Sequence, residues 1–322
     1  ILKKEKNFEK KYNVKFDIDN KINDKYKILH VMGYFFSGGI EKLLYYFEKY
    51  GNHEKYEYYI LCINGSNNTK INKLFKKIKI YYFKNNNELN FLVNLIKPKL
   101  IIDHYTPYLI NNPHNDFYKE NIIYFIHSAI LYDKNINNLN MRYVINLYIE
   151  KNKHQSWNDI TKNYYVTLGC EVNKDISKKI NQMDQLNISI IGRIAEEKIP
   201  LDFFKKLCKL SNVKNDININ IYGQKHNNFE ETYLYEFDYY LNLSKINYHG
   251  FINYDNLKEV YNQTNILVIP SIYETGSFTC LEAFSYNIPV LARNCYGLKN
   301  IIKNGINGYL FDNDDGFINK LM

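Results

Sequence analysis

The sequence predicts an α/β protein made of two doubly wound, Rossmann-like domains that face each other across a cleft. Short apolar runs alternate with helical patterns along most of the chain, which is typical of a parallel sheet. The alternation stops in a polar interval around residues 171–185 and then starts again. The 322 residues are enough for two domains with full-sized cores.

The predicted strands define the two domains. In the first block we expect strands at 27–32, 56–63, 78–83, 100–103, 122–126 and 143–148. In the second block we expect them at 187–191, 217–222, 246–249, 266–269, 288–291 and 309–311. Residues 1–26 are charged and aperiodic, and we interpret them as a tail. The N-terminal domain is therefore assigned to residues 27–170 and the C-terminal domain to residues 171–322.

The composition limits the class of protein. A hydrophobic content of 45% with 16% aromatic residues argues against disorder. No apolar run approaches the roughly 18 to 20 residues that span a bilayer, and the first residues lack the apolar core of a signal peptide. The five cysteines are scattered without C-x-x-C spacing, which predicts neither a disulfide framework nor a zinc site. We expect a cytoplasmic protein.

The net charge of +8 belongs to the first half of the chain. Residues 1–170 contain 26 Lys and Arg against 16 Asp and Glu, whereas residues 171–322 contain 16 against 18. Five lysines interleaved with apolar residues predict a helix with one cationic side: Lys70, Lys73, Lys76, Lys77 and Lys79. This helix either packs on the sheet or contacts an anionic membrane surface, which would place the protein on the inner face of the cell membrane. Nucleic acid is not an expected partner, because the chain has three arginines and no recognition motif.

The most informative stretch, residues 269–283, contains two glutamates eight positions apart. An apolar run at 265–269 predicts a buried parallel strand, and Gly276 with Ser277 marks a loop that leads into a helix. Glu274 is then expected at the C-terminal edge of the strand and Glu282 inside the helix. Both carboxylates can face the crevice in which open α/β sheets bind ligands.

A glycine pair marks the corresponding edge of the first domain. The strand at 27–32 leads to Gly38 and Gly39, where a helix is expected to begin. Such a turn lets backbone amides approach a phosphate, and the helix dipole adds a favourable field. Tight turns without any ligand also use paired glycines, so both interpretations stay open.

Two cations follow the first strand of the second block. Gly192 and Arg193 come directly after this strand, and Lys198 lies five residues further on. The planar Arg193 guanidinium could bind an anion through two hydrogen bonds, and the Lys198 ammonium could bind it as a point charge. The alternative is a pair of surface cations tied to Glu196 and Glu197.

His127 closes the apolar run at 122–126 and is expected to point toward the same crevice from the first domain. A histidine at a strand end is more often structural, and this holds still more for His104. Neither half of the chain contains a G-x-G-x-x-G fingerprint or a phosphate loop, which argues against dinucleotide oxidoreductases and nucleoside triphosphatases.

Together these residues resemble the retaining glycosyltransferases of family 4, which have the GT-B fold and include bacterial surface-polysaccharide enzymes. The resemblance covers about residues 27–321. The residues that carry it are Gly38, Gly39, Glu41, His127, Gly192, Arg193, Lys198, Glu274, Glu282, Ala283, Ile288, Pro289 and Val290. The resemblance implies a nucleotide-sugar donor bound between the domains and a glycan or lipid-linked acceptor, in cell-surface polysaccharide biosynthesis. It implies no metal and no other cofactor.

The resemblance also implies a role for each site residue. Arg193 and Lys198 would contact the diphosphate, and Glu282 the ribose hydroxyls. Glu274 would contact the transferred sugar, which His127 would reach from the first domain. The glycine pair would close over phosphate and acceptor. The implied catalytic residues are Glu274, His127, Arg193 and Lys198, and the implied donor-binding residues are Gly38, Gly39, Gly192, Arg193, Lys198, Glu274, Gly276, Ser277, Phe278 and Glu282. Retention would follow from front-face attack without an enzyme nucleophile.

The chain departs from the family pattern near the expected nucleotide. Tyr296 and Asn300 stand where the family usually has glycine and glutamate, so the resemblance does not specify the donor. Family members continue into helices that cross back onto the first domain, and we therefore expect the C-terminal domain to be truncated and its packing weakened.

Two other classes of protein stay open. A noncatalytic GT-B partner subunit would keep the fold without the reaction, although the charged residues at the crevice favour an enzyme. A nucleotide-sugar epimerase or hydrolase would need general acid and base carboxylates in the first domain, where no such pair is evident.

Overall fold

The computed structural model describes residues 25–33, 38–63, 72–104, 122–127, 143–146, 162–173, 185–225 and 231–321. Within these residues, thirteen strands form two sheets of seven and six strands, and the strand pairs of both sheets are parallel. The predicted fold class is confirmed: the protein is an α/β protein with two Rossmann-like sheets. None of the described helices is long and apolar enough to cross a bilayer.

The first sheet has the strand order β3-β2-β1-β4-β5-β6-β7. Its strands are β1 (Tyr26–Val31), β2 (Tyr56–Ile63), β3 (Lys79–Phe83), β4 (Leu100–Asp103), β5 (Ile122–Ile126), β6 (Tyr143–Asn146) and β7 (Lys162–Tyr165). Helices α1 (Gly39–Tyr50) and α2 (Asn86–Ile96) pack on it. Helix α2 begins with a reciprocal cap, because the Asn85 side chain accepts from the Glu88 amide and the Glu88 carboxylate accepts from the Lys84 amide.

The second sheet has the strand order β10-β9-β8-β11-β12-β13. Its strands are β8 (Leu186–Ile191), β9 (Ile217–Tyr222), β10 (Asn247–Gly250), β11 (Ile266–Ile269), β12 (Val290–Arg293) and β13 (Gly308–Phe311). The helices are α3 (Leu201–Val213), α4 (Glu231–Asn242), α5 (Leu257–Gln263), α6 (Phe278–Ser285) and α7 (Asp314–Leu321). They cover two apolar clusters that lie on this sheet.

The predicted strands match the observed ones closely, with one omission. The runs at 56–63, 100–103, 122–126, 217–222 and 266–269 have the observed bounds, and the other runs differ by one or two residues, except that residues 147–148 of the run at 143–148 lie outside the described residues. Strand β7 was not predicted. Its residues Lys162–Tyr165 include a lysine and an asparagine, and among the described strands it lies at the edge of its sheet and pairs with β6. An edge strand can be stabilised by backbone hydrogen bonds without the apolar run that marks a central strand.

The helix predicted for the lysine cluster is wrong over residues 73–79, whereas Asn72 is helical. The chain turns there and enters β3 at Lys79, while Lys70 lies outside the described residues. The buried carboxylate of Glu48 in α1 accepts from three consecutive backbone amides, those of Lys76, Lys77 and Ile78, at 2.9–3.1 Å. Three adjacent amides that point at one carboxylate are incompatible with helical hydrogen bonding through the same residues. A contact 28 to 30 residues distant in sequence thus overrides the local periodicity.

Candidate functional site

The carboxyl ends of the two sheets border a cavity of about 430 Å³. The glycine turn before α1, the end of β8 and the β11–α6 loop contribute to its wall. Every residue that the sequence analysis assigned to catalysis or donor binding lines this cavity: Gly38, Gly39, His127, Gly192, Arg193, Lys198, Glu274, Gly276, Ser277, Phe278 and Glu282. The structure therefore brings these residues together, as expected for strand ends in open α/β sheets.

Glu274 and Lys198 form an ion pair at the mouth of the second sheet. The Glu274 Oε1 atom lies 2.7 Å from Lys198 Nζ, and the two side chains are 13% and 27% exposed. The Glu274 carbonyl accepts a 2.8 Å hydrogen bond from the Gly297 amide. A Cβ at position 297 would lie 2.4 Å from that carbonyl oxygen, so a glycine is required there. Glu274, expected to contact the sugar, and Lys198, expected to contact the diphosphate, are thus adjacent. Gly297 contacts the loop that carries Glu274.

Arg193 follows β8 and pairs with Glu197. Both side chains are about one-third exposed, so water screens the pair. The alternative in the sequence analysis, two surface cations paired with Glu196 and Glu197, predicts this contact of Arg193. Lys198 instead forms its ion pair with Glu274. An anion in the cavity would compete with Glu197 for the Arg193 guanidinium.

Glu282, on α6, is buried in a polar cluster that spans the two domains. Lys42 of α1 places its Nζ 2.6 Å from Glu282 Oε1, and both side chains are 9% exposed. Tyr261 of α5 donates to Glu282 Oε2 at 2.8 Å, and Tyr46 of α1 donates to Oε1 at 3.2 Å. Burial, reinforced by the Glu282 charge, raises the pKa of both tyrosines, which keeps them protonated as donors. Lys42 also lies over the Tyr254 ring, 4.5 Å from its centroid.

His127 is held on two sides. Its ring nitrogen Nε2 lies 2.8 Å from His104 Nδ1, and its carbonyl accepts a 2.6 Å hydrogen bond from Thr275 Oγ1 across the cleft. The Phe125 ring stacks on the imidazole at 4.6 Å. Burial lowers the pKa of His127 to about 3, so the ring is neutral near pH 7.

Two helices begin at the cavity. Helix α1 starts at Gly39, where an added Cβ would lie 3.8 Å from the Phe278 ring at the start of α6. The Ser277 hydroxyl caps α6 by accepting from the Cys280 amide at 3.3 Å. Gly276 packs against Leu168, whose side chain would be 2.9 Å from a Cβ at that position. The first amides of both helices therefore provide a positive field at this end of the cavity.

Asp312 and Asp314, which follow β13, contact other residues of the second domain. Asp312 accepts from Asn294 at 2.8 Å, and Asp314 lies 2.5 Å from Arg293. Within the part of the chain that the structure describes, no group of three or more His, Cys, Asp or Glu side chains forms a metal-ligand set. Metal independence of the protein stays a prediction.

Sequence reasoning missed three residues that contact the expected site residues, Lys42, Tyr46 and Tyr261, and it missed His30, which contacts His104. Lys42 lies three residues after Gly39, in the first turn of α1, and this position close to the glycine turn was a usable signal. The tyrosines carried no signal, because the chain contains 32 of them. His30 lies inside a strand, and its neighbours there do not distinguish it from a core residue.

Comparisons with known proteins agree with this architecture. The fold is that of the GT-B glycosyltransferases. A glycosyltransferase from Rickettsia africae superposes with a TM-score of 0.68 at 17% identity, covering 92% of this chain and 87% of that protein. HepE of Anabaena, crystallised with UDP and glucose, superposes with a TM-score of 0.67 at 15% identity, covering 91% of this chain and 88% of that protein.

Residues 172–321, somewhat less than half of the chain, match the family described as Glycosyl transferases group 1. An uncharacterised glycosyltransferase of Methanocaldococcus jannaschii is 41% identical over 64 residues, which are 20% of this chain and 16% of that protein. An uncharacterised protein of the cps region of Klebsiella pneumoniae is 26% identical over 135 residues, 42% of this chain and 35% of that protein. The alignments therefore span well under two thirds of these relatives.

Proposed function

We propose that the protein is a glycosyltransferase that moves a sugar from a nucleoside-diphosphate sugar to a glycan or lipid-linked acceptor, with retention of anomeric configuration. The observation that carries the proposal is one cavity at which two helix N-termini meet Arg193, Lys198, Glu274 and Glu282. The family match over residues 172–321 supports it. HepE, which has the same fold, was crystallised with UDP-glucose and with UDP.

The proposed chemistry follows from the charges in the cavity. Cleavage of the bond between sugar and diphosphate leaves negative charge on the phosphate and develops positive charge at the anomeric carbon. Arg193 and Lys198 stabilise the leaving diphosphate, together with the amides that begin α1 and α6. Glu274, which lies beside Lys198, contacts the sugar in this proposal, while Glu282 binds the ribose hydroxyls. No step requires a metal or an enzyme nucleophile.

The cations can be tested against a matched control. Removing one preorganised electrostatic contact of this kind lowers turnover by about 10²- to 10³-fold, so we expect that loss in Lys198→Met. Lys225→Met is the control, because Lys225 also pairs with a carboxylate, is 25% exposed, and does not line the cavity. Equal turnover of the two variants would contradict the role of Lys198.

Binding and reaction are measured separately. A panel of UDP-, GDP- and ADP-sugars is titrated in EDTA, and Glu282→Ala is expected to lose the binding that the parent shows. Turnover with an acceptor, and an α-anomeric product from an α-linked donor in proton NMR, would establish the transferase. Donor binding without turnover would favour the noncatalytic partner, and conversion of the donor without acceptor would favour the epimerase or hydrolase.

A cell-surface acceptor would place the protein near an anionic membrane, and the basic first domain provides a surface for it. Lys73, Lys76 and Lys77 are exposed on the turn before β3, whereas Lys79 pairs with Glu57. We expect binding to anionic liposomes that weakens as salt rises, and the triple substitution of the exposed lysines by glutamine should abolish it. Failure to sediment with such liposomes at low salt would remove this part of the proposal.

A further inference from the structure

Three histidines of the first domain form a continuous hydrogen-bonded line that ends at the cavity. His30 lies in β1, His104 directly follows β4, and His127 directly follows β5. His30 Nδ1 is 2.9 Å from His104 Nε2, and His104 Nδ1 is 2.8 Å from His127 Nε2. His30 and His104 are buried, whereas His127 lines the cavity. Because β1, β4 and β5 are neighbours in the sheet, their ends bring the three rings together.

All three imidazoles are neutral near pH 7. Burial lowers the pKa of His30 and of His127 to about 3. Burial lowers the pKa of His104 well below its usual range, and the two neighbouring histidines lower it further. A neutral imidazole has one N–H donor and one acceptor nitrogen, so the tautomers of the three rings are coupled.

The buried end of the line, at His30, determines in which direction the hydrogen bonds are donated. His30 Nε2 is buried and has no hydrogen-bond partner among the residues that the structure describes. A buried N–H without an acceptor is less tolerated than an acceptor without a donor, so His30 keeps its proton on Nδ1. His30 then donates to His104, which must carry its own proton on Nδ1 and donate to His127. With its Nε2 occupied as an acceptor, His127 carries its proton on Nδ1.

We propose that His30 and His104 are positioning residues that hold His127 in the tautomer with Nδ1 protonated, so that His127 offers a fixed hydrogen-bond donor to the donor sugar. This inference rests on the proposed function for the identity of the ligand, but the tautomer itself does not depend on it. The Thr275 contact and the stacked Phe125 ring hold the backbone and plane of His127. His127 therefore acts as a neutral donor to a sugar oxygen and not as a general base.

Two variants of His104 separate positioning from simple packing. The amide nitrogen of asparagine is the same number of bonds from the backbone as Nδ1, the atom that contacts His127. The amide nitrogen of glutamine corresponds instead to Nε2, which faces His30. His104→Asn can therefore still donate to His127, whereas His104→Gln leaves His127 Nε2 without its donor. Packing alone predicts no advantage for asparagine, which fills less of the histidine volume.

The experiment is nitrogen NMR of protein labelled with ¹⁵N-histidine, in which protonated and bare ring nitrogens have separate shifts. The signals of His127 are identified by their loss in His127→Asn. We expect protonated Nδ1 and bare Nε2 for His127 in the parent and in His104→Asn. In His104→Gln we expect averaged shifts from two exchanging tautomers, and turnover about tenfold below that of His104→Asn.

A parent protein with His127 protonated on Nε2 would overturn the proposal. So would identical His127 shifts and identical turnover in the two His104 variants. If the parent binds no nucleotide-sugar, the proposed function fails, yet the NMR result on the protein alone still decides the tautomer. The two failures are therefore distinguishable.

Discussion

The buried ion pair between Lys42 and Glu282 connects α1 of the first domain to α6 of the second, and Lys42→Met should show what it contributes. The substitution keeps an unbranched side chain of similar length but leaves the Glu282 carboxylate without its cation. Removing one partner of a buried pair typically costs about 3 to 5 kcal/mol, because the other charge stays desolvated. Tyr46 and Tyr261 still donate to Glu282, which places the expected loss near the lower limit, about 3 kcal/mol.

Thermal unfolding measured by circular dichroism provides the assay. For domains of this size, 1 kcal/mol corresponds to about 2 to 4 °C, so Lys42→Met should unfold about 6 to 12 °C below the parent. Lys49→Met is the control, since Lys49 lies on the same helix and pairs with Glu171 at 2.6 Å. The Lys49 and Glu171 side chains are 40% and 47% exposed, and such exposed pairs contribute about 0 to 1 kcal/mol.

The double variant Lys42→Met/Glu282→Gln tests the physical reason. Because glutamine removes the uncompensated charge, we expect it to recover part of the stability that Lys42→Met loses. The reasoning is refuted if Lys42→Met unfolds within about 1 °C of Lys49→Met, or if the double variant is less stable than Lys42→Met by the full cost of a second substitution.

Three further predictions concern the site and its stability. Glu282→Ala should weaken nucleotide binding, whereas Glu274→Ala should mainly lower kcat, because only Glu274 is expected at the reacting sugar; equal losses of affinity measured by calorimetry would contradict this division. Gly297→Ala should lower kcat at least as much as Glu274→Ala, because its Cβ would lie 2.4 Å from the Glu274 carbonyl and displace the loop; kinetics like those of the parent would show that the loop position is unimportant. Acid should destabilise the protein through His30, whose pKa is lowered to about 3 in the fold: the unfolded chain binds this proton near pH 6.5, so stability present above pH 6.5 is lost as pH falls toward 3. The melting temperature of His30→Phe should therefore decline less steeply over that range, and parallel curves would disprove the contribution of this group.

The sequence predicted most of the fold because a central parallel strand needs an apolar run on both faces. That requirement is local, and it located strands such as β5 and β11 at their observed bounds. Strand β7 and the turn at residues 73–78 were missed for the opposite reason. The first depends on its neighbour β6, and the second on the carboxylate of Glu48 in α1.

The site residues were predictable as a set because the carboxyl ends of parallel strands meet at one edge, so residues that follow different strands become neighbours. Their partners were not predictable. Lys42 and Glu282 are 240 positions apart in the chain, and only the packing of the two domains makes them contact.

The amino-acid sequence alone thus determined the two parallel sheets and the residues placed at their edges, since strand periodicity and loop glycines are local properties. The tertiary structure decided which charges are paired and which hydrogen-bond roles are open. His30, His104 and His127 show the reason: 74 and 23 positions separate them, and their line exists because the sheet order places β1, β4 and β5 side by side. Contacts between distant segments depend on strand order and domain packing, which no short stretch of sequence contains.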